Sequence, residues 1–598
     1  MKKYILKSEL LYVLILLNFL FSGISQAQSL KLKLIETSDV HGAVFPYDFR
    51  DNRGARTSLS QVYTYVKEER NNKDQEVVLL DNGDILQGQP VVYYYNFEKT
   101  GVPHILSEVM NFMQYDAASV GNHDIETGHP VYDRINKEFK FPWMAANAVV
   151  KKTGKPYFKP YTIINRKGVK IAVLGMITPA IPNWLPEKIW AGMEFLDMIE
   201  TAKKWVKIIK EKEKPDVLIG LFHAGVEWNY NGQTADMPKN ENASELVAEK
   251  VPGFDVVFTG HDHKIWNKNV KNPDGADVLL LGPNNDARTA AEASLTLNYD
   301  KTSKSWKKET AKGNIIEIKN YQPDEEFMKK FTPAMEEVKT YVAKPIGNFT
   351  ETISTRESMF GDSKFMDLIH AIQLDLTKAD VSFAAPLSFD TKIDKGEIYV
   401  RDMFKLYKYE NLLYTMKLKG SEIKGFLEHS YALWFNRMTD SSSHLINFKT
   451  DKNGNPVKNA RNNIYELKAP YYNFDCAAGI KYTVDVSKPE GERVNIISMA
   501  DGSPFDMNKT YKAAVNSYRG NGGGGHLVEG AKIPKDELPN RIINSTEKDL
   551  RYYLMKWIEK EKTVTPKAFG NWKVIPEDWY LKGKEKDYPL LYSSRHSD

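Results

Sequence analysis

A chain of 598 residues is long enough for two or more domains, each burying a full core. Lys and Arg together number 82 against 78 Asp and Glu, a balance that excludes a nucleic-acid-coating surface but leaves room for a local basic pocket. The single cysteine, Cys476, excludes an intramolecular disulfide framework.

The chain opens as a secretory leader. Lys2, Lys3 and Lys7 precede an apolar run from Leu10 to Phe21, and Ser25-Gln26-Ala27 offers small residues for cleavage after Ala27. That run is too short to span a bilayer comfortably, and no second one follows, so no membrane anchor is expected once residues 1–27 are removed. No cysteine lies near the cleavage site for lipid attachment. An exported protein without disulfides points to a bacterial periplasmic or released location.

From Leu30 to about Ile318, short β-rich runs alternate with amphipathic segments, which predicts an α/β domain over residues 30–320. Lys31–Glu36, Glu76–Leu80, Val169–Gly175, Asp216–Leu221 and Phe254–Thr259 read as buried strands. Between Pro323 and Val342 apolar residues recur at helical spacing (Phe327, Phe331, Met335, Val338), predicting a linker helix within 321–344. A second domain is expected over 345–560. The tail, 561–598, is polar and rich in Trp, Tyr and Lys, and reads as a surface wrap or a partly disordered end.

Five motifs carry the chemistry: Asp39-Val40-His41, Gly83-Asp84, Gly121-Asn122-His123-Asp124, His223, and Gly260-His261-Asp262-His263. Carboxylate and amide oxygens mixed with imidazoles, and no thiolate, suit two ions of Zn, Mn, Fe or Co held for Lewis-acid work. All the predicted strands except Val169–Gly175 lead directly into one of these motifs. Ligands at strand ends gather in one crevice, which is how motifs spread over two hundred residues converge. A P-loop is excluded, because no Gly-x-x-x-x-Gly-Lys-Ser/Thr occurs and Gly520–Gly525 has no following lysine.

In this order the motifs resemble the calcineurin-like metallophosphoesterase domain. With its second domain the chain resembles the bacterial 5′-nucleotidase family, which includes secreted UDP-sugar hydrolases and 2′,3′-cyclic-nucleotide phosphodiesterases. The resemblance covers nearly the whole chain after residue 27. It implies a four-layer α-β-β-α sandwich joined by the linker helix to a second α/β substrate-binding domain. One ion is implied on Asp39, His41, Asp84 and His263, the other on Asp84, Asn122, His223 and His261, with Asp84 bridging. His123 is implied to lie beside the scissile phosphate, where an imidazole can stabilise charge or protonate the leaving oxygen. The family places an aspartate three residues later to orient that ring; here the position is Glu126, with Asp124 the rival. The implied reaction is in-line attack of hydroxide on phosphorus, with no covalent enzyme intermediate. A secreted nucleotide-binding protein with a degraded centre would lack ligands, whereas every position here is filled by a competent residue.

Substrate choice is expected in the second domain. Tyr471-Tyr472-Asn473-Phe474-Asp475 and Asn516-Ser517-Tyr518-Arg519-Gly520 resemble the two segments that sandwich a nucleobase in the family. Tyr518 matches one face, and Phe474 or Tyr472 the other. Classical 5′-nucleotidases carry an aspartate for the ribose diol where this chain has Gly524, and an Asn-Gly-Gly-x-Arg segment where it has Ala384-Ala385-Pro386-Leu387. Both departures resemble the 2′,3′-cyclic-nucleotide 2′-phosphodiesterase/3′-nucleotidase branch, whose diol is already esterified. The expected partner is a small nucleotide, with no nucleic acid.

Overall fold

A computed structural model describes residues 28–459 and 464–592. The expected leader, residues 1–27, lies outside them, and none of the described helices is long and apolar enough to cross a membrane.

Alternation along the strands decides how the first half packs. In Ser29–Thr37, Leu32 and Leu34 enter one apolar cluster and Ile35 another. In Gln75–Asp81, Val78 and Leu80 join the first cluster while Val77 and Leu79 join the second. Successive side chains of a strand face opposite ways, so a sheet that is apolar on both faces must be covered on both. A second sheet covers one face: Ile171, Ile219 and Phe258 share the cluster of Leu32 and Val78. Helices Leu59–Asn71 and Ile105–Met113 cover the other face, and Met198–Lys212 and Ser244–Lys250 cover the outside of the second sheet. The layers therefore run α-β-β-α.

Each sheet has six strands. Ser29–Thr37, Gln75–Asp81, Ala117–Ser119 and Trp143–Met144 run parallel in one. Val169–Ile177, Val217–His223, Val256–Thr259 and Asp277–Gly282 run parallel in the other. Parallel strands share an end, and their C-terminal loops meet there. Three of the five runs read as strands lie within these elements, while Asp216–Leu221 and Phe254–Thr259 begin one and two residues ahead of strands Val217–His223 and Val256–Thr259. Ala117–Ser119, which leads into Gly121-Asn122-His123, has only three small residues and no apolar run to reveal it.

Helix Glu325–Val342 starts at Asp324, whose side chain accepts from Phe327 N at 2.9 Å. Phe327, Phe331, Met335, Val338 and Val342 form its buried stripe and enter the same cluster as Leu59–Asn71. At about 1.5–3 kcal/mol per buried side chain, that stripe fastens the helix to the first unit.

The second unit is built on a five-stranded sheet of Cys476–Ala478, Val381–Ala384, Thr510–Asn516, Leu413–Lys419 and Ile542–Ser545, with helices Lys364–Thr377, Gly420–Trp434 and Leu550–Glu561. The tail is integrated rather than loose up to Tyr592. Thr563–Val564 pairs with Pro345–Phe349, and Trp572–Ile575 pairs with Ile480–Asp485. In helix Glu577–Tyr592, buried Asp587 accepts from Leu445 N and Ile446 N at 2.7 and 2.8 Å. Its anchors Trp572, Val574 and Leu591 are too widely spaced to show as an apolar run.

Candidate metal centre and nucleotide clamp

The loops after the parallel strands bring the motif residues together. Asp39, His41 and His263 form one group whose ligand atoms all lie within 4.8 Å of one another, and Asp84, His223 and His261 form a second. Asn122 joins the second, its Oδ1 lying 3.1 Å from His223 Nε2 and 2.8 Å from His261 Nδ1. Asp39, His41, Asp84, His261 and His263 all have positive φ, between 48° and 75°. Non-glycine residues held there are strained, and such strain gathers at functional sites. Gly121 is needed for close approach: a Cβ there would lie 2.2 Å from Asp84 Oδ1.

Hydrogen bonds fix which nitrogens face inward. His41 Nδ1 donates to Gln87 O at 3.0 Å and His223 Nδ1 donates to Asn82 O at 2.5 Å, leaving both Nε2 lone pairs for the centre. His261 Nε2 lies 3.1 Å from Glu241 Oε1, which turns its Nδ1 inward. Carbonyls and carboxylates behind ligating imidazoles set tautomer and orientation in this way. His41 Nε2 then lies 3.0 Å from His263 Nε2, and three acceptors converge at Asn122 Oδ1 and its two histidines. A ring proton or a metal ion can satisfy groups facing one another at such distances, and the mixture of imidazole, amide and carboxylate donors fits divalent ions. Burial opposes ionisation of Asp84, but His223 and His123 outweigh it and hold the carboxyl well below the usual range. Burial likewise opposes ionisation of Asp39, and His263 and His223 overcome it.

His123 sits at the edge of this centre, its ring 5.5 Å from that of His41. Glu126, one turn along helix Asn122–Glu126, places Oε2 2.5 Å from His123 Nδ1. Asp124 is occupied elsewhere: its carboxylate accepts from the backbone N–H groups of Gly121, Asp84, Ile85 and Leu86 and shapes the Asp84 loop. Burial disfavours a charged His123, yet Asp84 and Glu126 prevail and push its pKa up to about 9.

The second unit presents the clamp segments to this site. Tyr472 and Tyr518 are partly exposed, and the phenol of Tyr472 is raised by burial and by the neighbouring phenols of Tyr230, Tyr518 and Tyr409. Tyr230 belongs to the metal unit, so Tyr472 meets the loop that follows His223. Phe474 does not belong to the clamp. Its ring is fully buried and stacks on Trp434 at 5.3 Å, 6° from parallel, which makes it a core residue and leaves Tyr472 as the available face. Arg519, itself buried, ties the two segments together. It donates to Asp475 Oδ2 (2.6 Å), Asn473 Oδ1 (3.1 Å), Tyr472 O (2.9 Å) and Gly523 O (2.7 Å). Gly524 has φ +69°, and a Cβ there would lie 2.1 Å from Arg519 Nη1. The guanidinium therefore fills the space a side chain at 524 would need. Motif reading missed Glu241, Trp184 (stacked 5.5 Å from His261) and Tyr409, none of which stands in a quoted motif, and it quoted Arg519 without its tie between the two segments.

Comparisons with known proteins agree with this construction. Residues 32–265 match the calcineurin-like phosphoesterase family, and residues 345–530 match the 5′-nucleotidase C-terminal domain. The 2′,3′-cyclic-nucleotide 2′-phosphodiesterase/3′-nucleotidase of Yersinia enterocolitica is 27% identical over 93% of this chain and 90% of its own. The trifunctional nucleotide phosphoesterase YfkN of Bacillus subtilis is 26% identical over 92% of this chain, which spans only 39% of that longer protein. A candidate 5′-nucleotidase of Staphylococcus aureus, solved with α-ketoglutarate, shares the fold with a TM-score of 0.73 at 20% identity, over 91% of this chain and 99% of its own. The chain thus belongs to the metal-dependent phosphoric ester hydrolases that join a calcineurin-like phosphoesterase domain to a 5′-nucleotidase C-terminal domain.

Proposed function

We propose that the protein is an exported nucleotide phosphoesterase with two metal ions, acting on 2′,3′-cyclic nucleotides and 3′-nucleotides. Asp39, His41 and His263 would hold one ion, Asn122, His223 and His261 the other, with Asp84 bridging them. The ions, of Zn, Mn, Co or Fe, supply Lewis-acid polarisation of the phosphoryl group and of water. The chain's own residues do the rest. The Asn122 amide and the His123 imidazole offset charge growing on the phosphoryl oxygens. Glu126 holds His123 Nδ1–H, so the opposite nitrogen is free to pass a proton to the leaving ribose oxygen. Tyr472 and Tyr518 stack on the base, which gives affinity with little choice among bases.

The observation that carries the substrate assignment is Gly524. With Arg519 filling the space above it, no carboxylate can stand at 524 to hold a free 2′,3′-diol, as a 5′-nucleotide would require. A phosphate already on the 2′ and 3′ oxygens needs no such partner. The Yersinia relative, named for that activity, supports the same assignment. The test compares 2′,3′-cyclic AMP, 3′-AMP, 5′-AMP and UDP-glucose on one metal-loaded preparation. The first two should be turned over preferentially; preference for 5′-AMP or UDP-glucose would overturn the assignment.

A further inference from the structure

The second unit approaches the His123–Glu126 pair through the segment Lys408–Glu410, which lies in no ligand motif. The Tyr409 ring lies parallel to the His123 imidazole, 6° between planes and 6.4 Å between centroids. Beside it, Gln87 Nε2 donates to Lys408 O at 3.3 Å, while Gln87 O accepts from His41 Nδ1. One segment of the second unit thus meets both the candidate proton donor and the support of a candidate metal ligand.

That segment is held stiffly. Arg551, buried in helix Leu550–Glu561, donates to Tyr407 O at 2.9 Å, Lys408 O at 2.5 Å and Glu410 Oε1 at 3.0 Å. Its guanidinium also lies 4.3 Å from the Phe404 ring and 5.1 Å from that of Tyr93. Tyr93 belongs to the metal unit, and its hydroxyl donates to Asp549 Oδ2 at 3.2 Å. The joint between the units and the placement of Tyr409 therefore share one buried cation.

His123 needs such a neighbour. Its bond to Glu126 pins Nδ1 but leaves the ring free to swing about that axis, and the side chain keeps about a quarter of its surface exposed. The edge of the ring meets His41, and Tyr409 supplies the planar neighbour that limits the swing. We propose that Tyr409, held by Arg551, is a positioning residue that fixes the plane of His123, so that proton delivery to the leaving oxygen requires the second unit to be docked. This rests on the proposed role of His123 in ester hydrolysis.

The test uses the full-length, metal-loaded chain and a series of aryl phosphodiesters without a nucleobase, whose leaving phenols range from 4-nitrophenol to unsubstituted phenol. A poor leaving group depends on the proton, a good one does not. Tyr409→Ala should lower kcat for the phenol ester by about tenfold or more, since small misplacement of a reacting group costs up to about a hundredfold. It should change the 4-nitrophenyl ester less than threefold. His123→Asn should steepen the dependence in the same direction, and Tyr409→Phe should restore the wild-type slope. Tyr409→Leu, which keeps apolar volume without a planar face, serves if the alanine variant folds poorly and should follow it. An equal loss across all leaving groups would mark Tyr409 as merely structural and overturn the inference. A loss confined to nucleotides would make it a base contact and do the same. A wild-type chain inert toward every ester would instead defeat the proposed function, on which the inference stands.

Discussion

Replacing Arg519 by Met removes a guanidinium that joins the Tyr472 segment to the Tyr518 segment. All five of its donor contacts are lost, and Asp475, 1% exposed, is left buried without a cation. Removing one partner of such a buried pair costs about 3–5 kcal/mol, far more than breaking an ion pair at the exposed surface does. A chain of this size unfolds in more than one step, so a local measurement is needed. Hydrogen exchange at Asn473, Phe474, Asn521 and Gly522 reports directly, because each amide donates within one of the two segments. Their protection should fall by about 10²–10⁴-fold if those amides open with the clamp. Burial already pushes the Asp475 carboxyl above its ordinary range, and without Arg519 it takes up a proton more readily. The loss should therefore be smaller in mild acid. The double variant Arg519→Met with Asp475→Leu should recover more than half of the protection, giving the pair a coupling energy. A change below about fivefold in Arg519→Met alone would refute the reasoning, since it would mean that the pair holds nothing together.

Four further outcomes are expected. Gly524→Asp, which installs the residue of a diol-binding 5′-nucleotidase, should not create 5′-nucleotidase activity; steady-state assays should show it impairing 3′-AMP turnover, because its Cβ displaces Arg519. Tyr518→Ala should raise KM for nucleotides about tenfold, from a stacking contribution of about 1–3 kcal/mol, and leave bis-p-nitrophenyl phosphate unchanged, while Phe474→Ala should lower the local stability around Trp434 by about 3–5 kcal/mol, read as lost amide protection in hydrogen exchange. Burial and the adjacent Asp362 push the Asp367 carboxyl up to about 8. A carboxyl raised in the fold contributes stability that is present below its unfolded pKa and lost as pH rises through the folded value. The wild type should therefore lose melting temperature between about pH 4 and pH 8 relative to Asp367→Asn, and parallel profiles would contradict the shift.

The two candidate metal-ligand clusters were readable because most of their motifs follow strands whose apolar runs are visible, and because parallel strands must deliver their ends to one place. The helix Glu325–Val342 was readable from Phe327, Phe331, Met335 and Val338 alone. The clamp was harder. Tyr471–Asn473 is a tight 3-10 turn in which neighbouring rings face different ways, so spacing could not tell that Phe474 turns inward to Trp434 while Tyr472 stays at the surface. Contacts between residues hundreds of positions apart left no local trace. The Arg551 hold on Lys408 joins residues 143 positions apart within the second unit, and the parallel rings of Tyr409 and His123 depend on how the two units dock, which no periodicity encodes. Glu241 lies 20 residues from His261 in an asparagine-rich loop, with nothing around it to mark it as that ring's partner.

Metal analysis of purified protein, with turnover of 3′-AMP measured on the same samples, bears most directly on the two-ion centre. The account predicts two divalent ions per chain in the wild type, loss of turnover when a chelator strips them, and recovery on adding Zn, Mn, Co or Fe back. Asp84→Asn should lose both bound metal and turnover together. A wild type that hydrolyses 3′-AMP with no bound ion, or an Asp84→Asn variant that keeps both ions and full turnover, would contradict it.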